Sequence, residues 1–148
     1  MSYESPHVGA MGVLEHGDGL VYVREGKEGA EDTWNLPGGS LEEEESIREC
    51  AERELLEETG IEAEAEELLG VYMMESEAYG ETVSVNVLEC EKTGGDFSPR
   101  KEDSAKEVNT FTLEDLDEID LRDEGLRRVA EDHYKKFSAP AQHVADLR

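Results

Sequence analysis

The apolar positions of this chain fall into short runs of two periods. Residues 8–14 and 20–24 are β-favouring runs separated by His16-Gly17-Asp18-Gly19, and Asp-Gly between two such runs predicts a hairpin. Residues 27–33 are polar and read as a loop, and Trp34-Asn35-Leu36-Pro37-Gly38-Gly39 predicts a rigid bend. Residues 68–74 read as a strand. In 81–91, Val83, Val85 and Val87 alternate with Thr82, Ser84 and Asn86, a half-buried strand pattern. Gly94-Gly95 predicts a turn, residues 108–112 a short strand, and Thr112-Leu113-Glu114-Asp115 a cap leading into a short helix.

Two segments carry the helical period. Ser46-Ile47-Arg48-Glu49 is a Ser-x-x-Glu capping box, and Gly60 stands where a glycine would stop a helix. No Gly or Pro lies between them. Residues 123–137 repeat Leu126, Val129, Ala130 and Tyr134 at helical spacing. Residues 138–148 hold a proline between alanines and read as a loose tail. The order strands, helix, strands, helix predicts an α+β domain, a mixed sheet with helices packed on it.

The first helix has acids on both sides. At about 100° per residue, Glu54 and Glu58 fall within about 20° of Ile47, inside the sector that also holds Cys50, Ala51 and Leu55, with Glu57 at its edge. Glu45, Glu49 and Glu52 fall opposite. The outer set reads as a solvated face. An inner carboxylate costs several kcal/mol (roughly) unless it is paired or binds a metal. Arg53 is one cation against three such groups. Clustered hard oxygen ligands suit Mg²⁺ or Mn²⁺. The other arrangement, with the helix turned so that all these acids meet water, stays open on the wheel alone.

Composition narrows the class. Leu, Ile, Val and Phe supply 31 of 148 residues, just enough for a folded core in so charged a chain. Asp and Glu number 39 against 14 Lys and Arg, a formal net charge of −25 spread along the whole sequence. Self-repulsion at that charge opposes compaction in dilute buffer, whereas molar salt screens it, so a salt-rich, halophilic cytoplasm is expected. The absence of a basic stripe argues against nucleic-acid binding. Cys50 and Cys90 make no disulfide framework or zinc motif and read as buried or half-buried thiols. The N-terminal residues lack the regions of a signal peptide, and no run approaches about 18 apolar residues, so a cytoplasmic protein with no membrane partner is expected.

The segment Gly39-x5-Glu45-x7-Arg53-Glu54-Leu55-x-Glu57-Glu58-x-Gly60-Ile61 matches every defined position of the Nudix box, and the chain resembles the MutT-like Nudix hydrolases. Leu36-Pro37-Gly38-Gly39 is similar to the usual lead-in. Glu44 is a departure, since many members have glycine before the box glutamate, and a slightly altered loop is expected. The resemblance implies a Nudix fold, a mixed β-sheet sandwiched between helices (α/β/α), in a single domain over residues 1–137 followed by the tail at 138–148. It implies that Glu54, Glu57 and Glu58, with the Gly38 backbone carbonyl, hold one to three Mg²⁺ or Mn²⁺ ions. Arg53 would orient the carboxylates and Glu45 would fix the loop-to-helix junction. The catalytic set would be Arg53, Glu54, Glu57 and Glu58, with Glu54 or a later loop glutamate, Glu102 or Glu107, as general base. In so acidic a chain both loop residues read more readily as solvated surface charges.

The implied reaction is metal-dependent cleavage of a diphosphate linkage in a nucleotide-like small molecule: a nucleoside triphosphate, a dinucleoside polyphosphate or a nucleotide sugar. The alternative is a catalytically silent nucleotide-binding sensor. Tyr79, past the box, leans towards dinucleoside polyphosphates. It and Tyr72 are equally explained as core or surface aromatics, and Trp34 as a base-stacking or a buried residue. His7, His16, His133 and His143 show no ligand spacing and receive no role. A homodimer is common in the family, but no residue here points to one.

Overall fold

The hairpin expected near the N-terminus closes on two residues, Gly17 and Asp18, with Gly17 at φ +62°. It joins β1 (Val8–His16) to β2 (Gly19–Arg24), paired antiparallel as Glu15↔Leu20 and His16↔Gly19. The computed structural model describes residues 7–24, 32–76, 81–98 and 107–138. Within them follow β3 (Trp34–Asn35), β4 (Gly38–Ser40), α1 (Ile47–Thr59), β5 (Ile61–Ser76), β6 (Glu81–Gly95), β7 (Glu107–Phe111), a 3₁₀ turn (Glu114–Glu118) and α2 (Gly125–Ser138).

The strands form a seven-stranded mixed sheet in the order β3-β2-β1-β6-β5, with β4 on β1 and β7 on β2. β1 runs parallel to β6 and antiparallel to β2 and β4. Alternation assigns its two faces. Val13 packs with Tyr22, Met74, Val85 and Val87 beneath Leu126, Val129 and Ala130 of α2. Ala10 packs with Ala65 and Leu88 beneath Cys50 and Ala51 of α1. The sheet thus lies between the two helices, as an α+β Nudix fold requires.

Several boundaries differ from expectation. β5 and β6 extend over 16 and 15 residues, and Gly94 and Gly95 stay in their ladder opposite Glu62 and Ile61 rather than forming a turn. Glu62 and Glu64 stand on the open side of a strand whose Ile61 and Ala65 are buried, and its first half, rich in Glu and Ala, which strands disfavour, was not read as part of the strand expected at 68–74. Thr112 does cap the 3₁₀ turn: its N–H donates to Asp115 Oδ2, and its hydroxyl accepts from the Asp115 N–H. Residues 27–31 of the expected loop and 139–148 of the expected tail lie outside the described residues.

Candidate active site

The helix that carries the box begins and ends where its capping residues dictate. Ser46 Oγ accepts from the Glu49 N–H and Glu49 accepts from the Ser46 N–H, while Gly60 closes the C-terminus at φ +83°. Losing a cap of this kind costs about 1 kcal/mol. Cys50, Ala51, Leu55 and Thr59 are buried against the sheet, which sets the helix rotation. That rotation turns the inner glutamates inward: Glu58 is 6% exposed, and the Glu54 and Glu57 side chains are 15% and 27% exposed.

Arg53 binds these acids together. Its Nη1 lies 2.7 Å from Glu54 Oε1 and 3.3 Å from Glu57 Oε2. Its Nε and Nη2 meet Glu45 Oε2 and Oε1 at 2.6 and 3.0 Å, and Nη2 donates to the Ser40 carbonyl at 3.2 Å. The hydrogen bonds from Arg53 draw the Glu45 carboxyl down to about 2. Glu45 also accepts from the Glu42 N–H, tying the loop to the helix. Its side chain is 11% exposed although the wheel placed it outside, because it precedes the N-cap and does not follow helical geometry. The true outer face is not idle either. Glu52 accepts from the Ala65 N–H, and Arg48 donates to the Ala65 and Glu66 carbonyls, at an irregular point of β5.

The lead-in glycines let the backbone of β4 approach closely. A Cβ on Gly39 would lie 2.6 Å from Glu54 Oε1, so its absence makes the space that this carboxylate occupies. A Cβ on Gly38 would lie 2.5 Å from the Ala10 carbonyl, so Gly38 is required by the packing of β4 on β1. The Gly38 N–H donates to Glu58 Oε1 at 2.7 Å. Glu44 adopts φ +64°, the left-handed conformation that a glycine would take without strain.

Among the described residues, no three Asp, Glu, His or Cys side chains converge as a ready-made metal cage. The donor set nevertheless fits Mg²⁺ or Mn²⁺. Mg²⁺ commonly takes one or two protein carboxylates and completes its shell with water and substrate phosphate. Glu54, Glu57 and Glu58 offer hard oxygens on one helix face, and the single guanidinium of Arg53 leaves that cluster net negative.

Other candidates sit elsewhere. Glu107 pairs with Arg24 at 3.2 Å. By register it shares the sheet face of Arg24 and Phe111, whereas its neighbour Val108 packs towards Leu55 of α1. Glu102, Tyr79 and His143 lie outside the described residues. Trp34 is buried, edge-on to Phe111 at 4.8 Å, so it is a core residue. Tyr72 donates its hydroxyl to Asp132 at 2.7 Å. Burial pushes the Cys50 and Cys90 thiols up to about 12, consistent with inert packing. His133, given no role above, is buried between two carboxylates; its sequence context carries no signal of this, because both partners come from distant strands.

Comparison with known proteins agrees with this geometry. The family model described as NUDIX domain matches residues 5–133. A MutT-like protein of Streptomyces ambofaciens is 35% identical over 112 residues, covering 75% of this chain and 67% of that protein. An ADP-ribose pyrophosphatase of Methanocaldococcus jannaschii is 30% identical over 118 residues, covering 79% and 68%. Among solved structures, a NUDIX hydrolase from Nitrosomonas europaea superposes with a TM-score of 0.80 at 25% identity, covering 89% of this chain and 90% of that one. With its box on a capped helix and most of its length matched by the family, the chain belongs to the Nudix family of hydrolases.

Proposed function

We propose that this Nudix hydrolase is a metal-dependent pyrophosphohydrolase that splits a diphosphate linkage in a nucleoside diphosphate derivative. The observation that carries the reading is the inward cluster of Glu54, Glu57 and Glu58, held by Arg53 and the Gly38–Gly39 backbone. Divalent ions bound there would neutralise phosphate oxygens and lower the pKa of a coordinated water. A diphosphate carries concentrated negative charge and the protein carries −25, so without such ions the two would repel.

In this reading Glu57 and Glu58 supply oxygen ligands, with the Gly38 carbonyl as a further donor. Glu54 either joins them or takes the proton of the attacking water at its carboxylate. Arg53 is a positioning residue, fixing the Glu54 and Glu57 carboxylates through Nη1. Of the loop alternatives for the base, Glu102 stays open, whereas the Arg24 pairing of Glu107 on the other sheet face argues against it.

The substrate class is proposed from the relatives' names. One is an ADP-ribose pyrophosphatase, and the crystal structure of a UDP-X diphosphatase shares the fold at a TM-score of 0.76. Nucleotide sugars and related diphosphates therefore come first in a substrate panel, ahead of nucleoside triphosphates and dinucleoside polyphosphates. The acidic composition further supports a halophilic setting, so the panel is run in molar KCl as well as dilute buffer.

Incubation with Mg²⁺ or Mn²⁺ is expected to release a nucleoside monophosphate. Glu57→Gln is expected to lower turnover at least about tenfold, and chelation to abolish it. No cleavage of any panel member, or unchanged turnover in Glu57→Gln, defeats the proposal. Tight nucleotide binding without cleavage would point to a sensor instead.

A further inference from the structure

α2 is fastened to the sheet in two ways. Leu126, Val129 and Ala130 bury an apolar seam against Val13, Val85 and Val87. Beyond that seam the helix is held by charge. His133, 3% exposed, places Nδ1 2.6 Å from Glu89 Oε1 on β6 and Nε2 2.7 Å from Glu15 Oε1 on β1. Lys136 lies 2.9 Å from Glu89 Oε2 and also meets Glu67 on β5.

A neutral imidazole has one N–H and one lone pair. Either tautomer would serve one carboxylate and aim its lone pair at the other across a hydrogen-bond distance. Only the doubly protonated ring satisfies both. We propose that His133 is held as an imidazolium and acts as an alkaline-sensitive latch, fastening the C-terminal half of α2 to β1 and β6.

The surrounding charges favour that state. Glu15 faces the ring from β1, Glu89 from β6, and Glu67 approaches from β5 through Lys136, while the Tyr134 ring packs edge-on to His133. Glu66, Glu91 and Lys92 line the same cleft, which has a volume of about 650 Å³. Burial alone lowers the imidazolium's pKa, but the hydrogen bonds to Glu89 and Glu15 outweigh it and the net displacement is upward. The latch's stability is therefore fully present below the unfolded histidine's value of about 6.5 and is lost as pH rises through the folded value. Once the proton leaves, one of the two carboxylates faces an imidazole lone pair, and the ring fastens α2 to one strand instead of two.

The device is read by following histidine ring nitrogens and α2 amide protection by NMR, from about pH 5 to about 10. His133 is expected to keep both ring nitrogens protonated above the unfolded histidine's value of about 6.5, losing one proton only at higher pH. Protection of the second half of α2, corrected for intrinsic exchange, is expected to fall in the same range. Glu15→Gln, at a half-exposed position outside the box, is expected to move both transitions to lower pH. A His133 ring that has lost one proton by about pH 6.5 overturns the proposal, as does α2 protection that ignores Glu15→Gln.

Discussion

Arg53 meets Glu45 through two parallel hydrogen bonds, Nε to Oε2 at 2.6 Å and Nη2 to Oε1 at 3.0 Å, while its Nη1 faces Glu54 and Glu57. One planar group thus joins the loop before α1 to the acids within it. A lysine carries a point charge and cannot hold this fork while reaching Glu54. Arg53→Lys is expected to lower kcat/KM about 10- to 100-fold through misplaced carboxylates. Steady-state kinetics with the preferred substrate check this, and an unchanged kcat/KM would remove Arg53 from the positioning role.

Gly39→Ala separates site geometry from folding. The new Cβ would meet the end of the flexible Glu54 side chain at 2.6 Å. That side chain can swing away, so the loss of stability is expected to stay under about 1 kcal/mol. The Glu54 carboxylate, however, would leave its place. Calorimetric titration with Mn²⁺ is expected to show weakened binding, together with reduced turnover. Full ion affinity in Gly39→Ala would contradict this account of the glycine.

Glu44 should gain from the residue its family often carries. Left-handed backbone costs a non-glycine residue roughly 1–2 kcal/mol. Glycine gives back about 0.5–1 kcal/mol in unfolded-state freedom. Glu44→Gly, which relieves φ +64° at an exposed position, is therefore expected to stabilise the fold, by up to about 1.5 kcal/mol. Urea unfolding midpoints test it, and a destabilised variant would show that Glu44 makes contacts worth more than its strain.

Acid should loosen the box before activity is considered. Hydrogen bonds from Arg53 hold Glu45 at about 2, below its ordinary 4.5. A folded value below the unfolded one means that this stabilisation is present above 4.5 and disappears as pH falls towards 2. The thermal midpoint of the wild type is expected to drop across that window, and that of Glu45→Gln to drop less. Parallel curves would show that the Glu45–Arg53 pair contributes nothing to acid sensitivity.

Local rules alone determined much of this protein. The Ser46–Glu49 box and Gly60 bracketed α1 at the residues observed, and the 3.6 period brought Glu54, Glu57 and Glu58 to the side of Cys50, Ala51 and Leu55. Helix caps and side-chain periodicity act within a few residues, so they are written in adjacent letters. The hairpin at Gly17-Asp18 and the Val83–Val87 alternation were legible for the same reason.

What the letters left open depended on distant partners. The wheel could not place Glu45, because its direction is set by Arg53 rather than by helical twist. It could not show that Gly38 is a glycine on account of Ala10, or that Gly94 and Gly95 continue a ladder with Ile61 and Glu62. Nor could it find the clasp on His133, whose two carboxylates arrive from positions 15 and 89. The sequence by itself determined which residues share a helix face or a turn, since backbone geometry repeats every few residues. Only the tertiary structure decided which charges are buried together, because burial and pairing belong to strands and helices that meet far apart in the chain.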